Sequence, residues 1–208
     1  MQINELWNSK NEQDYINAIN KYWEYIKPEN LELEERLNNL DCRKIEAMDL
    51  SEFYGFLIDD YYKWKYTDPR WLNQNRERFS KYVEQQQLCE LEEIKNSLFS
   101  FDPDDIEAGL KIAQSTKGLG VAGASGLLAL LYPNHFATVD QFVVKSLCEV
   151  KNLPQRSRVQ NINPSSISIK DGILLIEIMR DKAKELNRLF GTNEWTPRSI
   201  DMILWASR

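Results

Sequence analysis

Residues 117–145 read KGLGVAGASGLLALLYPNHFATVDQFVVK, and this stretch decides how the chain is interpreted. Gly118 and Gly120 flank a single apolar residue, Leu119. Two glycines at this spacing allow a tight turn with positive φ angles, while the leucine side chain enters the core. Such a turn leaves backbone N–H groups free at the start of the next helix, where the helix dipole also favours an anion. The turn is therefore a candidate phosphate site, although a plain helical hairpin uses the same residues.

The second half of the stretch predicts a helix that begins at an aspartate. The apolar segment 122–132 favours a short buried helix, which Pro133 stops. Asp140 then precedes the apolar positions of another helix, and aspartate is a preferred N-terminal cap. The positive end of the helix dipole favours the ionised carboxylate at that position. Asp140 is therefore a structural cap, a charged catalytic group, or both.

Helical periodicity dominates the rest of the chain and predicts the all-α fold class. Apolar residues recur at intervals of three and four over residues 50–64. We expect further helices over 72–99, from Asp102 to Ser115, and over 171–190. Residues 154–169 contain two prolines and several serines, which predicts a loop with a brief extended piece at its end.

The composition is that of an ordinary globular chain, with 42% hydrophobic and 28% charged residues. Cys42, Cys89 and Cys148 lie far apart and are odd in number, which argues against a disulfide framework and against a zinc or iron–sulfur site. The chain shows no early apolar leader and no run of 18 apolar residues. We therefore expect a soluble, cytoplasmic protein that binds neither a membrane nor a metal.

The charge distribution is more informative than the net charge of −6, which by itself opposes binding to nucleic acid. Residues 111–170 contain seven basic and two acidic residues, a local charge of +5 that leaves −11 for the rest of the chain. A basic segment on an acidic body predicts a local contact with a polyanion. Ordinary drift of surface charge along a chain produces the same pattern.

The glycine turn, taken together with the later Val139–Asp140 step, resembles the helix-hairpin-helix motif of the endonuclease III-like DNA glycosylase superfamily. The family turn reads roughly Leu-Pro-Gly-Val-Gly-x-Lys-Thr-Ala, and a Val-Asp step follows one short helix later. Here residues 117–124 lie over the turn, and Asp140 stands 18 residues beyond Ala122, the spacing expected of the family. The resemblance implies two helical lobes around a cleft. Residues 1–100 would form part of the cleft and residues 101–208 the hairpin region, as one integrated unit.

Two positions depart from the family pattern. Ala122 stands where the family has its Schiff-base lysine, and an alanine cannot form an imine with a sugar. Gln141-Phe142 replaces the usual Thr-His after the aspartate. The chain therefore resembles the single-function members, which cleave the base–sugar bond and leave the strand intact. The resemblance further implies DNA as the partner of a monomer, and no cofactor beyond a structural monovalent cation at the hairpin.

The resemblance assigns the catalytic role to Asp140, because a carboxylate near the anomeric carbon stabilises the positive charge of the sugar and orients water. An enzyme that acts on a base must extrude it into a pocket, and Trp64, Tyr66 and Trp71 form an aromatic, basic junction suited to lining one. For any single one of these rings, packing in the core is the simpler explanation. The expected DNA contacts are Lys117, Gly118, Leu119, Gly120, Val121, Ala122 and Lys145.

The expected activity is hydrolysis of the N-glycosidic bond of a damaged or modified base in DNA. Base-excision repair and defence against modified phage DNA are both settings for this chemistry. Two alternatives remain: a non-catalytic helix-hairpin-helix DNA-binding protein, and a helical protein-interaction module. Salt-dependent DNA binding separates the last alternative from the others, and formation of abasic sites separates an enzyme from a binding protein.

Overall fold

The computed structural model describes residues 1–207, and 70% of the chain is helical with no strand among those residues. The prediction of an all-α fold is confirmed. The thirteen helices, in chain order, are α1 Ile3–Trp7, α2 Glu12–Glu24, α3 Pro28–Asn38, α4 Cys42–Glu46, α5 (Leu50–Gly55, a π-helical turn Phe56–Tyr61, and Tyr62–Lys65 in one run), α6 Pro69–Glu84, α7 Leu88–Ser100, α8 Ile106–Gln114, α9 Val121–Leu131, α10 Gln141–Glu149, α11 Arg156–Gln160, α12 Ile169–Phe190 and α13 Pro197–Ala206.

Helix α5 carries the apolar stripe that the sequence predicts over residues 50–64. Its π-helical turn, Phe56–Tyr61, accommodates one more residue than a regular α-helical turn of the same height. Tyr61 and Tyr62 follow each other in sequence, and both are fully buried. Neighbouring residues of a regular helix point about 100° apart, so two consecutive buried tyrosines need a wide buried face. The wider turn helps to bring both rings into the core.

Helix α9 is the most deeply buried helix of the fold. Every residue from Val121 to Leu131 is buried except Ala122, which is partly exposed. A helix that is apolar on all sides must be surrounded by others, and α9 packs against α8, α12 and α13. The glycines of α9 let α5 approach closely: a Cβ at Gly123 would lie 2.8 Å from the hydroxyl of Tyr66. The small residues of α9 are therefore part of the contact with α5.

Several helices begin or end where the sequence predicts. Asp140 is the N-terminal cap of α10, and α9 matches the apolar segment 122–132 within one residue at each end. Helix α12 begins two residues earlier than expected and ends at Phe190, where Gly191 adopts a left-handed φ of 68°.

Other boundaries were predicted wrongly. The single helix expected over 72–99 is two helices, α6 and α7, because the chain turns at Gln86 with a φ of 56°. The helix expected from Asp102 begins only at Ile106. Asp102 instead accepts a hydrogen bond from the Asp104 N–H at 3.0 Å in a preceding turn, and Asp105 provides the cap.

The segment 154–169 also differs from the expected loop. It contains the short helix α11, and no extended piece forms at its end because Ser168 already caps α12. A side chain that receives the first amides of a helix fixes where the helix starts.

One hydrophobic cluster joins the N-terminal and C-terminal halves of the chain. Its first member in sequence is Ile3 and its last is Leu204. It includes buried side chains of α1, α5, α9 and α13. Helix α13 packs against α2 near the start of the chain as well as against α10 and α12. Residues 1–100 and 101–207 therefore share a core. None of the described helices is long and apolar enough to cross a bilayer.

We expect the change Gly118→Ala to destabilise the fold. Gly118 has a φ of 89°, and a Cβ there would lie 2.8 Å from the Asn75 carbonyl oxygen. Backbone strain and this contact together should lower the free energy of unfolding by about 2 kcal/mol, measured by urea denaturation followed by circular dichroism.

Gly55→Ala is the matched control. Gly55 lies inside α5 with a right-handed φ of −59°, and nothing lies within 4 Å of the Cβ position. The added methyl group should raise the free energy of unfolding by about 0.5–1 kcal/mol. Equal stability of the two variants would contradict the conformation assigned to the turn.

Candidate functional site

The turn between α8 and α9 accepts hydrogen bonds from two tyrosines at the C-terminal end of α5. These are Tyr62, inside the helix, and Tyr66, its C-terminal cap. The Tyr62 hydroxyl donates a hydrogen bond to the Lys117 carbonyl, and the Tyr66 hydroxyl donates one of 3.1 Å to the Gly118 carbonyl. Leu119 is buried, as the sequence predicts. The carbonyls of the turn are therefore directed at the body of the protein and already have partners.

The N–H groups that follow the turn have no such partners. Gly120 is the N-terminal cap of α9 and has no side chain to receive the first amides. The N–H groups of Val121, Ala122 and Gly123 make no hydrogen bond to any of residues 1–207. The positive end of the α9 dipole lies at the same place. The start of α9 therefore offers donors to an anion without a charged side chain.

The family resemblance implies a structural cation at the turn. A monovalent cation at a turn is held by main-chain carbonyl oxygens. Two of those oxygens, on Lys117 and Gly118, accept hydrogen bonds from tyrosine hydroxyls instead. The open N–H groups at the start of α9 fit an anion. No group of three or more metal-ligating side chains occurs in the part of the chain that the structure describes.

Asp140 performs its capping role with one carboxylate oxygen. Its Oδ1 accepts the N–H groups of Phe142 at 2.8 Å and Val143 at 3.1 Å. Its Oδ2 accepts no hydrogen bond from residues 1–207, and the residue is only half-buried. The second oxygen is therefore available to a bound molecule.

Two cavities meet at Asp140. A groove of about 600 Å³ is lined by Gly120, Val121 and Ala122 on one side and by the loop 164–167 on the other. A second cavity of about 570 Å³, here called the aromatic cavity, lies between α2, α3, α5, α10 and α13. Asp140 lines both. It is thus shared by the groove, which contains the open amides of α9, and the aromatic cavity.

The walls of the aromatic cavity are suited to flat ligands. Tyr22 and Trp205 meet edge-to-face, with ring centroids 5.2 Å apart. Aromatic rings provide stacking surfaces for any nucleobase, because every base has a flat π face. Its aromatic lining residues are Tyr22, Tyr25, Trp64, Phe142 and Trp205.

A buried network of charges supports one wall of this cavity. The Arg198 guanidinium donates to Asp201 Oδ1 at 2.5 Å and lies 3.4 Å from Glu34 Oε1. Glu34 in turn accepts the indole N–H of Trp64 at 2.6 Å, which fixes the ring in the wall. Burial raises the pKa of Asp201 to about 6, and the Arg198 charge opposes that shift.

Thr138 adds an unsatisfied polar group to the same wall. Its N–H donates to Asp201 Oδ2 at 2.6 Å, but its hydroxyl oxygen is buried without a partner among residues 1–207. Buried hydroxyls normally have a partner, and Thr138 lines the aromatic cavity. The oxygen is enclosed by the protein, so the free-energy cost of leaving it unpaired falls on the fold.

Lys65 places an amine in the same cavity. It lies at the C-terminal end of α5 and lines the cavity together with Asp140. Its Nζ makes no hydrogen bond or ion pair within residues 1–207. Burial lowers the pKa of this lysine, and the charges of Asp140 and Asp201 oppose that effect. The amine also lies over the Trp64 ring, 5.9 Å from its centre, and the lysine side chain is only partly buried.

The three rings proposed for the base pocket lie in different places. Trp64 lines the aromatic cavity, whereas Tyr66 supports the turn through its hydroxyl. Trp71 is 58% exposed and does not line the cavity. The chain diverges after Lys65 because α5 ends there and α6 begins at Pro69.

The two lysines proposed for DNA contact also differ. The Lys117 ammonium lies 2.5 Å from Glu90 Oε2 and 3.9 Å from the centre of the Tyr82 ring, so it is directed toward α6 and α7. Lys145 is exposed on α10, and its Nζ lies 3.4 Å from Gln141 Oε1 at the edge of the groove. Lys145 is the better placed of the two for a phosphate in the groove.

Sequence reasoning did not single out Lys65, Thr138, Arg198 or Asp201. For Lys65, the signal was its position directly after Trp64 in the aromatic stretch YYKWKY. Arg198 and Asp201 stand three residues apart in the otherwise apolar helix α13, where buried charges require partners. Such a pair in an apolar helix indicates a buried polar contact, but not which elements meet there.

No protein-family model matches the chain, and searches of curated proteins and of solved structures found no significant match. Its function is therefore inferred from the site itself.

We expect the Asp201 carboxyl to make stability depend on pH between about 4 and 6. Its pKa is raised from 3.8 in the unfolded chain to about 6 in the folded protein, so the folded state binds the extra proton in that range. This contribution to the free energy of unfolding is complete below pH 3.8 and is lost as the pH rises through about 6. The Asp201→Asn variant cannot titrate there.

Urea denaturation of both proteins at pH 4, 5, 6 and 7 measures this effect. The wild-type value minus the variant value should fall with rising pH, with a slope of at most about 1.4 kcal/mol per pH unit. A difference that does not change with pH would show that folding does not raise the pKa of this carboxyl.

Proposed function

We propose that the chain is a DNA N-glycosylase of the helix-hairpin-helix type, which hydrolyses the bond between a damaged or modified base and its deoxyribose. The observation that carries this proposal is the position of Asp140 between two cavities of different character. One cavity presents unpaired backbone amides, and the other has aromatic walls. A nucleotide with its base extruded needs a site for the phosphate, a site for the base and a carboxylate at the sugar between them.

The groove side supports a role in holding the DNA backbone. The open N–H groups at the start of α9 and the helix dipole attract a phosphate oxygen without basic side chains. This is how a chain with a net charge of −6 can hold a polyanion. Lys145 adds an exposed positive charge about one turn beyond Asp140. In this proposal the two helices α8 and α9 and their turn act as the helix-hairpin-helix motif.

The aromatic cavity supports a role in holding the base. Its volume of about 570 Å³ lies within the range of small-molecule sites, which measure roughly 300–1,000 Å³. Trp64 and its neighbouring rings provide stacking surfaces. In this proposal the elements of residues 1–100 and 101–207 that surround the cavity act as the two sides of a cleft.

The chemistry assigned to Asp140 uses the oxygen that does not cap α10. As the base leaves, positive charge develops at the anomeric carbon, and the Asp140 carboxylate stabilises that charge. Its free Oδ2 is also positioned to orient the water that attacks the sugar. Ala122 provides no amine at the turn, so water displaces the base. Repair and defence against modified phage DNA both use this reaction.

A second candidate is DNA binding without catalysis. It is favoured by one observation, which is that Asp140 Oδ1 already satisfies two amides of α10 and so has a structural reason to be present. The two candidates share the groove and differ only in what the aromatic cavity holds. Variants at Asp140 and at the groove therefore separate them.

The Asp140→Asn variant should fold and bind DNA but release base at least about 100-fold more slowly. Asparagine caps a helix as well as aspartate does, so α10 should remain intact while the negative charge is lost. Base release is measured over a panel of damaged and modified duplexes, with the resulting abasic sites revealed by alkaline cleavage. Release at the wild-type rate by the folded variant would refute the catalytic role.

The Ala122→Glu variant should bind DNA at least about tenfold more weakly, because it places a carboxylate at the open amides of α9. Binding is measured by fluorescence anisotropy at several salt concentrations. Ser51→Glu is the matched control, since Ser51 is exposed in the first turn of α5 and the net charge changes equally. Equal weakening by both variants would argue against a phosphate site in the groove.

A further inference from the structure

We propose that the face of α6 that carries Trp71 and Arg78 binds an unpaired segment of a DNA strand, with Trp71 stacked on a base and Arg78 beside a phosphate. The inference takes DNA as the ligand from the proposed function. It adds a contact surface that lies outside both the groove and the aromatic cavity. The ligand class is single-stranded DNA of any sequence.

Trp71 differs from the other five tryptophans of the chain. It is 58% exposed, and its ring makes no aromatic or cation–π contact within residues 1–207. Its indole N–H has no hydrogen-bond partner there either. The fold therefore makes no use of this ring that its exposure would explain. The tryptophans that do make an aromatic or cation–π contact are Trp7, Trp23, Trp64, Trp195 and Trp205.

Arg78 is also exposed, and the fold holds it weakly. Its one hydrogen bond within residues 1–207 is a contact of 3.5 Å with the side-chain oxygen of Asn75, and it forms no ion pair there. The other two arginines of α6, Arg70 and Arg76, lie 2.8 Å and 3.6 Å from carboxylate oxygens. Arg78 is therefore the arginine of α6 whose charge is available to a ligand.

Trp71 and Arg78 lie on the stripe of α6 that also contacts the glycine turn. Residues 71, 75, 78 and 82 fall within about 60° of one another around the helix axis. Asn75 and Tyr82 are buried, and the Tyr82 hydroxyl accepts the Lys117 N–H of the turn at 3.1 Å. The same stripe is thus covered at Asn75 and Tyr82 and open at Trp71 and Arg78.

Tyr66 connects Arg78 to the open amides of α9. Burial raises the pKa of Tyr66 to about 12, and the nearby Arg78 charge opposes that shift. The Tyr66 hydroxyl would lie 2.8 Å from a Cβ at Gly123, whose N–H is one of the open amides. One tyrosine side chain therefore separates Arg78 from the proposed phosphate site. The α6 face extends that site along the surface of the protein.

The charge and the ring together favour an unpaired strand. Residues 63–81 contain six basic and two acidic residues, a local charge of +4 on a chain whose net charge is −6. A polyanion complements that charge. In a duplex the flat faces of the bases are stacked on one another, so an indole on a protein surface does not reach them. In a single strand those faces are open, and they stack on aromatic side chains whatever the sequence.

The test compares binding of the full chain to a fluorescein-labelled oligothymidylate and to a blunt duplex of the same length, by fluorescence anisotropy. Trp71→Ala should weaken binding to the single strand at least about tenfold and leave binding to the duplex unchanged. Trp71→Phe keeps a ring and should retain most of the affinity. Val83→Ala is the matched control, because Val83 is 53% exposed on the same helix but about 120° away from Trp71.

Arg78→Gln tests the phosphate contact separately. It should weaken binding to the single strand and reduce the slope of log affinity against log salt by about 0.7. Arg188→Gln changes the net charge equally at an exposed position of α12, and its slope should match the wild type. Circular dichroism checks that each variant folds.

The outcomes separate this inference from the proposed function. A loss that depends on Trp71 and is confined to the single strand supports the inference even if no base is released from any duplex, a result that would overturn only the glycosylase activity. Base release by a protein whose affinity for the single strand does not depend on Trp71 overturns the inference alone. Equal weakening toward the duplex, or by Val83→Ala, also overturns it.

Discussion

The hydrogen bonds between the tyrosines of α5 and the glycine turn organise the whole site. Tyr62 and Tyr66 take up the carbonyls of the turn, and Tyr61 donates to the Gly123 carbonyl one turn further into α9. Bonds inside a core are expensive to leave unmade, so these hydroxyls restrict the turn to one orientation. Its amides then face the groove. The anion-binding character of the turn is thus set by which of its polar groups the core satisfies.

The aromatic cavity is kept polar at a cost to stability. Arg198 and its carboxylate partners Asp201 and Glu34 are desolvated, and a buried ion pair seldom stabilises a fold more than well-packed apolar residues would. The unsatisfied Thr138 hydroxyl adds to that cost, and the partly buried Lys65 amine lies over the Trp64 ring without a hydrogen-bond partner among residues 1–207. Such groups are concentrated at functional sites, where polarity serves a bound ligand rather than the fold. Their collection around one cavity, beside Asp140, is what singles out this part of the molecule.

Local patterns in the sequence predicted where the helices lie better than which helices contact each other. The Asp140 cap, the buried helix α9 and the left-handed Gly191 follow from short-range rules of capping, apolarity and backbone freedom. The break at Gln86 carried no glycine or proline, so periodicity alone predicted one helix where two form.

The cavity depends on contacts between residues distant in sequence, which no spacing reveals. Arg198 reaches Glu34 across more than 160 positions, and Lys65 reaches the site from the end of α5. The aromatic stretch around Trp64 is visible in the sequence, but nothing in it shows that the chain turns away after Lys65. Trp64 therefore joins the cavity wall, whereas Trp71 is left in solvent.

The π-helical turn of α5 has a consequence for how this chain tolerates change in length. A π turn corresponds to one residue inserted into a regular helix. Removing a single residue between Phe56 and Tyr61 would restore regular winding and rotate everything after it by about 100°. The hydroxyls of Tyr62 and Tyr66 would then leave the turn, and the amine of Lys65 would leave the cavity. Deletion of a single residue would therefore remove the support of the turn beside the groove and change the wall of the aromatic cavity at the same time.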